Sequence, residues 1–372
     1  MTADPAAYAV DLGPRRRSAF VVSASLCSWD LVVFRVEPVT GGRPVFVAKA
    51  SEDVPGFLAD LDRGLLDDDL AAALARPPRR GLVRPPRRTR GVRLGVEHEF
   101  VVSGPDGVLD FRTLGADLDL GVRADPTDPN AQRCPWGGVV TADGREAEIA
   151  TPPVPLAEGA AATVRGLAEI GRDVLAEALH AAHGPDVALA GYSTHLNVTA
   201  PRRAARTHAR RFASVFAPSL MLLLDRPTSP GLLVRPRPGR LELGGEYSAG
   251  ADLEVALTFA AGAVLASRGP GWLHARRLRV EVVLDPARER YGWYVDRRAV
   301  GCDLYELGRV APLRRTRTGA TVTAGQHLEQ TWELARAALV GRVSEAELAV
   351  VDAVVGGDEP LPRPQDGVAS KT

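Results

Sequence analysis

Two glutamates separated by one residue, Glu97 and Glu99, lie in the segment GVRLGVEHEFVV at residues 91–102. Apolar residues alternate with the others along this segment, which predicts a β-strand with both carboxylates on one face. Carboxylates placed in this way can share a hard divalent cation, which prefers oxygen ligands. The pair alone is weak evidence, because a chain with 46 acidic residues among 372 contains several such pairs by chance.

Three later segments repeat this pattern of a polar face opposite an apolar face. REAEIATPPVPL (145–156) carries Glu146 and Glu148, GYSTHLNV (191–198) carries His195 and Asn197, and LELGGEY (241–247) carries Glu242. Side by side in a sheet, these strands would form a cup of carboxylates with one histidine. Divalent cations would relieve the repulsion among the carboxylates, and Mg²⁺ in such a cup typically bridges nucleotide phosphates.

The order and wording of these segments resemble a known family. GVEHEF resembles the GxExEF segment of the type-2 glutamate–cysteine ligases and related carboxylate–amine ligases, which share the glutamine synthetase fold. EIATPP resembles their E-L-x-T-P segment, and STHLNV resembles their G-T-H-x-H-V segment. LELGGEYSAGADLEVALTFAAGAV resembles their E-x-R strand and the helix that follows. The resemblance covers about residues 91–340.

The resemblance implies an α+β fold, with a curved, mostly antiparallel sheet and helices packed on one face. It also implies an ATP- and Mg²⁺-dependent ligase that phosphorylates a substrate carboxylate and lets an amine displace the phosphate to form an amide. The substrates would be small molecules, amino acids in particular, with glutamate and cysteine as one pairing. ATP would bind without a Walker motif, since the chain has neither a P-loop nor a GxGxxG after a strand.

The resemblance also assigns roles to individual residues. The metal ligands would be Glu97, Glu99, Glu148, His195 and Glu242. Glu97, Glu148 and Arg298 would be catalytic, and Arg235, Arg237 and Arg297 would bind the nucleotide phosphates, with Arg240 as a further arginine at the rim.

Two departures from the family pattern leave other functions open. Asn197 stands where the family has a second histidine, and Gly244 stands where its E-x-R strand has an arginine. An alternative is therefore a non-catalytic protein that keeps the ligase fold and binds a partner. A third reading is a metal-dependent hydrolase that uses the same acids to activate water.

The elements that must position these residues follow from periodicity and composition. Residues 1–76 predict a small N-terminal α+β module of unknown role, and PPRRGLVRPPRRTR (77–90) predicts a linker. Residues 91–357 predict the ligase-like domain and 358–372 a disordered tail. Within the domain we expect a helix at 156–184, a helix at 201–225 bent or broken by Pro218, and a strand at 276–285.

Composition excludes several classes of function. Lys+Arg and Asp+Glu are 46 each, so the chain as a whole has no charge preference for nucleic acid. No apolar run is long enough for a membrane span. Three cysteines without a CxxC pair favour a reducing compartment, and we expect a cytoplasmic protein, compatible with a homo-oligomer. His98, on the apolar face of its strand, is expected to be a packed core residue.

Overall fold

The computed structural model describes most of the chain. The described residues are 6–11, 17–28, 31–38, 45–50, 53–63, 65, 68–75, 91–125, 128–201, 205–224, 229–268, 270–287 and 291–362. The predicted linker at 77–90 and the last ten residues of the predicted tail lie outside these ranges.

Contacts divide the chain into two compact units. Unit 1 comprises Met1–Arg90, Val102–Pro153 and Glu169–Ala188, and unit 2 comprises Gly91–Val101, Val154–Ala168 and Leu189–Thr372. The chain passes from one unit to the other within a strand and within a long helix. The predicted domain boundaries at 76, 90 and 357 stay a prediction.

The described residues before the linker form four strands and two helices. These are Ala6–Asp11 (β1), Arg17–Ser28 (β2), Leu31–Pro38 (β3), Val45–Ala50 (β4), Val54–Asp62 (α1) and Asp68–Ala75 (α2). Strands β1 to β4 pair in chain order as an antiparallel sheet. Helix α1 packs on this sheet through Phe57, whose ring centroid lies 4.6 Å from that of Phe34.

The rest of the chain alternates short strands with longer helices. The strands are Arg93–Gly104 (β5), Gly107–Leu109 (β6), Val122–Asp125 (β7), Asp128–Arg133 (β8), Val139–Asp143 (β9), Glu146–Ala150 (β10), Val154–Pro155 (β11), Ala188–Thr199 (β12), Gly231–Arg237 (β13), Arg240–Glu246 (β14), Asp285–Pro286 (β15), Trp293–Asp296 (β16), Pro312–Arg314 (β17) and Thr321–Thr323 (β18). The helices are Phe111–Leu114 (α3), Ala160–His183 (α4), Ala205–Val215 (α5), Ala217–Leu224 (α6), Gly250–Ala266 (α7), Gly271–Ala275 (α8), Leu304–Leu307 (α9), Ala324–Leu339 (α10) and Glu345–Gly356 (α11).

Unit 2 is built on a sheet in the order β15-β16-β13-β14-β12-β5. The pairs from β15 to β12 are antiparallel, and β11 adds an antiparallel pairing with β5. Unit 1 contains a second run of neighbouring strands, β7 to β10, also antiparallel where they pair. The predicted α+β fold class, with a mostly antiparallel sheet and helices, is confirmed.

Helices cover the apolar face of the unit 2 sheet. Leucine and valine side chains of β5, β12, β13 and β14 join one core with α5, α6, α7, α10 and α11. Helix α7 is apolar on nearly every side and buried along most of its length, as befits a helix surrounded by other elements. Within the described ranges, no single helix is long and apolar enough to cross a membrane. Helix α7 and residues 271–278 reach that length and composition only together, and they are bent by 99° relative to each other.

The expected break near Pro218 is confirmed. Helix α5 ends at Val215 and α6 begins at Ala217. Proline has no N–H to donate to the carbonyl four residues earlier, which here is that of Ser214. That carbonyl instead accepts a hydrogen bond from the backbone N–H of Val280 at 3.4 Å.

The expected strand at 276–285 is wrong. Residues Arg276–Leu278 form a 3₁₀ turn, and only Asp285–Pro286 is a strand. The backbone N–H groups of this segment donate to three different places, the carbonyls of Ser214, Arg314 and Ala299. The alternation of apolar residues therefore matches a strand, but the segment does not form a continuous row of backbone hydrogen bonds with one neighbouring strand.

The close approach of α7 and α10 gives a testable consequence for stability. A Cβ atom at Gly262 would lie 2.5 Å from the carbonyl oxygen of Ala335, so Gly262→Ala should lower the free energy of unfolding by about 1–3 kcal/mol. Gly166→Ala is the matched control, because a Cβ there meets nothing within 4 Å in a helix and should be neutral or raise stability by up to about 1 kcal/mol. Urea unfolding measures both variants, and equal effects would contradict this packing.

Candidate functional site

Strand register brings the predicted polar residues together in unit 2. Strand β12 lies between β5 and β14 in the sheet. Asn197 is directly opposite Glu242, and His195 is directly opposite Gly244. Directly opposite residues in a sheet share a face, so the side opposite the leucine and valine core collects the acids, the imidazole and the amide.

His195 lies at the centre of this cluster. Its Nδ1 atom is 3.5 Å from Glu97 Oε2 and 4.0 Å from Glu242 Oε1, and its Nε2 atom is 3.6 Å from Glu99 Oε1. The imidazole is 4% exposed and Glu242 is fully buried. Three of the predicted carboxylates, two from one segment and one from another, therefore meet around one ring. We call Glu97, Glu99, His195 and Glu242 the acid cluster.

Arginines from β13 and β14 lie against the acid cluster. Arg235 and Arg237 both pair with Glu242, the latter through its Nε at 2.7 Å from Oε2. Arg240 donates from Nη2 to Glu97 Oε1 at 3.0 Å and from Nε to Asn197 Oδ1 at 2.6 Å. The same Nη2 atom lies 3.5 Å from Glu242 Oε2. Sequence reasoning placed Arg240 only at the rim, and the structure shows that it bridges two strands of the cluster.

The polar face extends beyond the residues first assigned to it. Ser193 donates its hydroxyl hydrogen bond to Glu99 Oε2 at 2.6 Å. Glu246 is 2% exposed and lies directly opposite Ser193 in the strand register. Period-two alternation along β12 places Ser193 on this face together with His195, and the same count from Glu242 places Glu246 there.

The structure explains the glycine at position 244. A Cβ atom on Gly244 would lie 2.7 Å from His195 Cδ2 and 3.0 Å from His195 Nε2. The missing side chain therefore makes the space that the imidazole occupies. Positive charge in this region comes instead from Arg235, Arg237 and Arg240.

Burial and neighbouring charges set the protonation of the cluster. Burial by itself raises the pKa of Glu97, but His195, Arg240 and Arg237 outweigh it and hold that pKa at about 2. Burial by itself lowers the pKa of His195, but Glu97, Glu99 and Glu242 outweigh it and raise that pKa to about 9. At neutral pH the cluster therefore contains an imidazolium beside the ionised carboxylate of Glu97.

The donor atoms of the cluster fit a divalent cation. Glu97, His195 and Glu242 each offer a ligand atom, and these atoms all lie within 4.8 Å of one another. Carboxylate oxygens suit Mg²⁺ or Mn²⁺, and an imidazole nitrogen is a common ligand once it has lost its proton. The proton on His195 and the arginines on Glu97 and Glu242 would compete with such an ion.

Glu148, Arg297 and Arg298 are the other predicted site residues that the structure describes. Glu148 belongs to unit 1, where it is half-buried on β10 opposite Thr141 of β9. Arg297 donates from Nε to Asp303 Oδ2 at 2.7 Å, and Arg298 Nε is 3.7 Å from the same oxygen. Asp303 also begins helix α9 as its N-cap residue. The assigned roles of Glu148, Arg297 and Arg298 stay predictions.

The expected core position of His98 is confirmed. It is 2% exposed, and its ring centroid lies 4.9 Å from that of Tyr247 and 6.1 Å from that of Phe100.

Comparisons with known proteins add little beyond this geometry. No protein-family model and no curated protein matches the chain. Among solved structures 11 chains match. One belongs to the crystal structure of the complex between prokaryotic ubiquitin-like protein Pup and its ligase PafA, with 15% identity and a TM-score of 0.37. The match covers 72% of this chain and 65% of that chain, so the protein spans slightly less than two thirds of its length.

The raised pKa of His195 predicts a pH-dependent stability. Between about pH 6.5 and about pH 9 the folded protein keeps a proton that the unfolded chain releases. The free energy of unfolding should therefore fall as pH rises through this window, by up to about 1.4 kcal/mol per pH unit. Urea unfolding of the metal-free protein measures the slope, and His195→Gln is the control that should lack this contribution. Equal slopes in the two proteins would contradict the assignment.

The fit between Gly244 and His195 gives a second prediction. Gly244→Ala should displace the imidazole and lower the His195 pKa, because the ring moves away from its carboxylates. Histidine NMR titration measures the change. Gly166→Ala is the control, because a Cβ atom there meets nothing within 4 Å, and it should leave the His195 titration unchanged. Gly184→Ala would not serve, because the φ of Gly184 is +96°, a backbone conformation that alanine rarely adopts.

Proposed function

We propose that the protein is an ATP- and Mg²⁺-dependent carboxylate–amine ligase that forms an amide through an acyl phosphate. The observation that carries the proposal is the meeting of Glu97, Glu99, His195 and Glu242, from three separate segments, on one buried sheet face. Buried acids that are held close together are costly unless positive charge lies beside them, and such clusters of interacting ionisable groups are typical of functional sites. The motif resemblance supplies the reaction class.

The carboxylates of the acid cluster would hold the metal ion. When bound, Mg²⁺ supplies charge neutralisation for the phosphates of ATP. Phosphoryl transfer depends chiefly on positioning and on stabilising charge, so the protein's part is to fix groups rather than to react covalently.

The arginines beside the cluster would orient the phosphoryl oxygens. Arg237 and Arg240 are half-buried, with 41% and 15% of their side chains exposed, so their guanidinium groups reach the open side of the cluster. A guanidinium matches two phosphoryl oxygens at once. Ser193 fixes Glu99, and Asn197 fixes Arg240, which limits the movement of both groups.

The substrates would be a small carboxylic acid and an amine, with amino acids as the first compounds to test. Glutamate and cysteine as the specific pair follow only from the motif resemblance. No described contact distinguishes them from other acids and amines.

A second candidate function is a non-catalytic ligase-fold protein that binds a partner. The observation that favours it is the set of ion pairs from Arg235, Arg237 and Arg240, which already neutralise Glu97 and Glu242 without a metal ion. A site compensated in this way is stable on its own and needs no cation for folding.

Turnover with matched variants tests the proposed reaction. The protein with ATP, Mg²⁺ and acid–amine pairs should release ADP and phosphate only when both partners are present. Glu97→Gln and Glu242→Gln should each lower this rate at least about 100-fold, since each removes a charge from the cluster. Glu333→Gln changes an exposed acid of α10 and should leave the rate unchanged. Glu148→Gln tests the role that the motif resemblance assigns to Glu148.

Calorimetry separates the two candidates. Binding of Mg²⁺-ATP that is lost in Glu97→Gln favours the ligase. No nucleotide binding by the folded protein would favour the non-catalytic function, and hydrolysis without ATP would favour a metal-dependent hydrolase. Full turnover by Glu97→Gln would overturn the ligase proposal.

A further inference from the structure

A basic cavity lies in unit 2 where helix α8 and its 3₁₀ turn meet the loop after β17. Its volume is about 550 Å³, and it is lined by Trp272, Arg276, Arg279, Thr316 and Arg317. We call this space the basic cavity. Its lining contains three arginines and no acidic residue, although the whole chain has no net charge.

The arginines of the basic cavity differ from those of the acid cluster. Arg276, Arg279 and Arg317 are exposed, and in the described part of the chain none of them forms an ion pair. The nearest acid along the chain, Glu281, lies 3.6 Å from Arg314 Nε. Three guanidinium groups on one concave surface repel each other, and a bound anion would relieve that repulsion.

A fourth arginine adds charge behind the lining. The guanidinium of Arg211, on α5, lies over the Trp272 ring with 4.8 Å between its central carbon and the ring centroid. This cation–π contact holds the indole in place and gives it a positively charged backing. Trp272 is half-buried and forms part of the lining of the cavity.

The backbone that carries these arginines is fixed by hydrogen bonds. The N–H of Thr316 donates to the carbonyl of Arg279 at 3.0 Å, and Val280 forms an isolated antiparallel bridge with Arg315. The side chain of Arg315 is 6% exposed and reaches inward to the carbonyl of Leu278 and to His327 Nδ1, the latter at 2.8 Å. The two walls of the basic cavity are therefore tied together before any ligand arrives, which lowers the entropy cost of binding.

A second cavity adjoins the first. Its volume is about 530 Å³, and Arg279 and Thr316 line both cavities. Its lining also includes Arg210 and Ser214, both on α5. The combined surface can accept an anion longer than one phosphate group. Glu281 is the acid on this side, so the more favourable position for negative charge is the basic cavity itself.

We propose that the basic cavity binds a small phosphate compound that carries several negative charges. Arginine forks match phosphoryl oxygens in pairs, and at least three forks face one space of the size typical for small ligands. Organic phosphates and inorganic polyphosphate share this chemistry. The proposal rests on residues outside the acid cluster and does not depend on the proposed function.

Calorimetric titration in EDTA tests the proposal. Tripolyphosphate, ATP and citrate are the three probes, because they separate inorganic phosphate, organic phosphate and carboxylate chemistry. We expect tripolyphosphate or ATP to bind, and Arg276→Gln with Arg279→Gln to weaken that binding at least about tenfold. Affinity should fall with added salt. Arg342→Gln changes an exposed arginine elsewhere in unit 2 and is the matched control.

Two further variants distinguish the basic cavity from the acid cluster. Glu97→Gln should leave tripolyphosphate binding unchanged. Tripolyphosphate binding should also change the intrinsic fluorescence of the protein, and Trp272→Phe should remove the part of that change that comes from the cavity. Unfolding midpoints without ligand establish that each variant folds, and for the exposed Arg276 and Arg279 we expect no change in the midpoint. Unchanged binding in the double arginine variant, equal affinity for citrate, or no binding of either phosphate probe would overturn the proposal.

Discussion

Buried carboxylates cost free energy unless cations lie beside them, and this constraint governs the polar face of the unit 2 sheet. Glu99 and Glu242 are almost completely inaccessible to water. His195 contributes a positive charge from the centre, and Arg240 links Glu97 to Asn197 from the neighbouring strand. Each charged group therefore depends on the position of the others. The strand register must hold to within one residue, because a shift of one would turn the acids into the apolar core.

The core on the other face supplies that register. Leucines and valines of β12, β13 and β14 pack against α5, α6 and α7, while α7 is itself enclosed by α10 and α11. Gly262 allows the backbone of α10 to approach α7 closely. Rigid packing of this kind lets small groups such as Ser193 and Gly244 determine where an imidazole sits.

Unit 2 uses arginine in two opposite ways. In the acid cluster, Arg235, Arg237 and Arg240 are bound to carboxylates, so their charge stabilises the folded protein. In the basic cavity, Arg276, Arg279 and Arg317 face solvent around Trp272, where their charge is available to a ligand. The difference follows from the backbone: regular strands place arginines opposite acids, whereas the irregular segment after α8 and the loop after β17 place them around a cavity whose lining contains no acid.

Much of the acid cluster follows from local sequence pattern. Period-two alternation assigned Glu97, Glu99, His195 and Glu242 to polar strand faces, because a strand that buries one face must point every second side chain the other way. The break beside Pro218 followed from a missing N–H for the same local reason. The strand expected at 276–285 failed because a strand also needs a partner, and partners are supplied by distant segments. Long-range placement likewise decided that Arg240 bridges Glu97 and Asn197, and that Gly244 makes space for His195. Local pattern thus determines which way a side chain points, whereas only the tertiary structure determines what it meets.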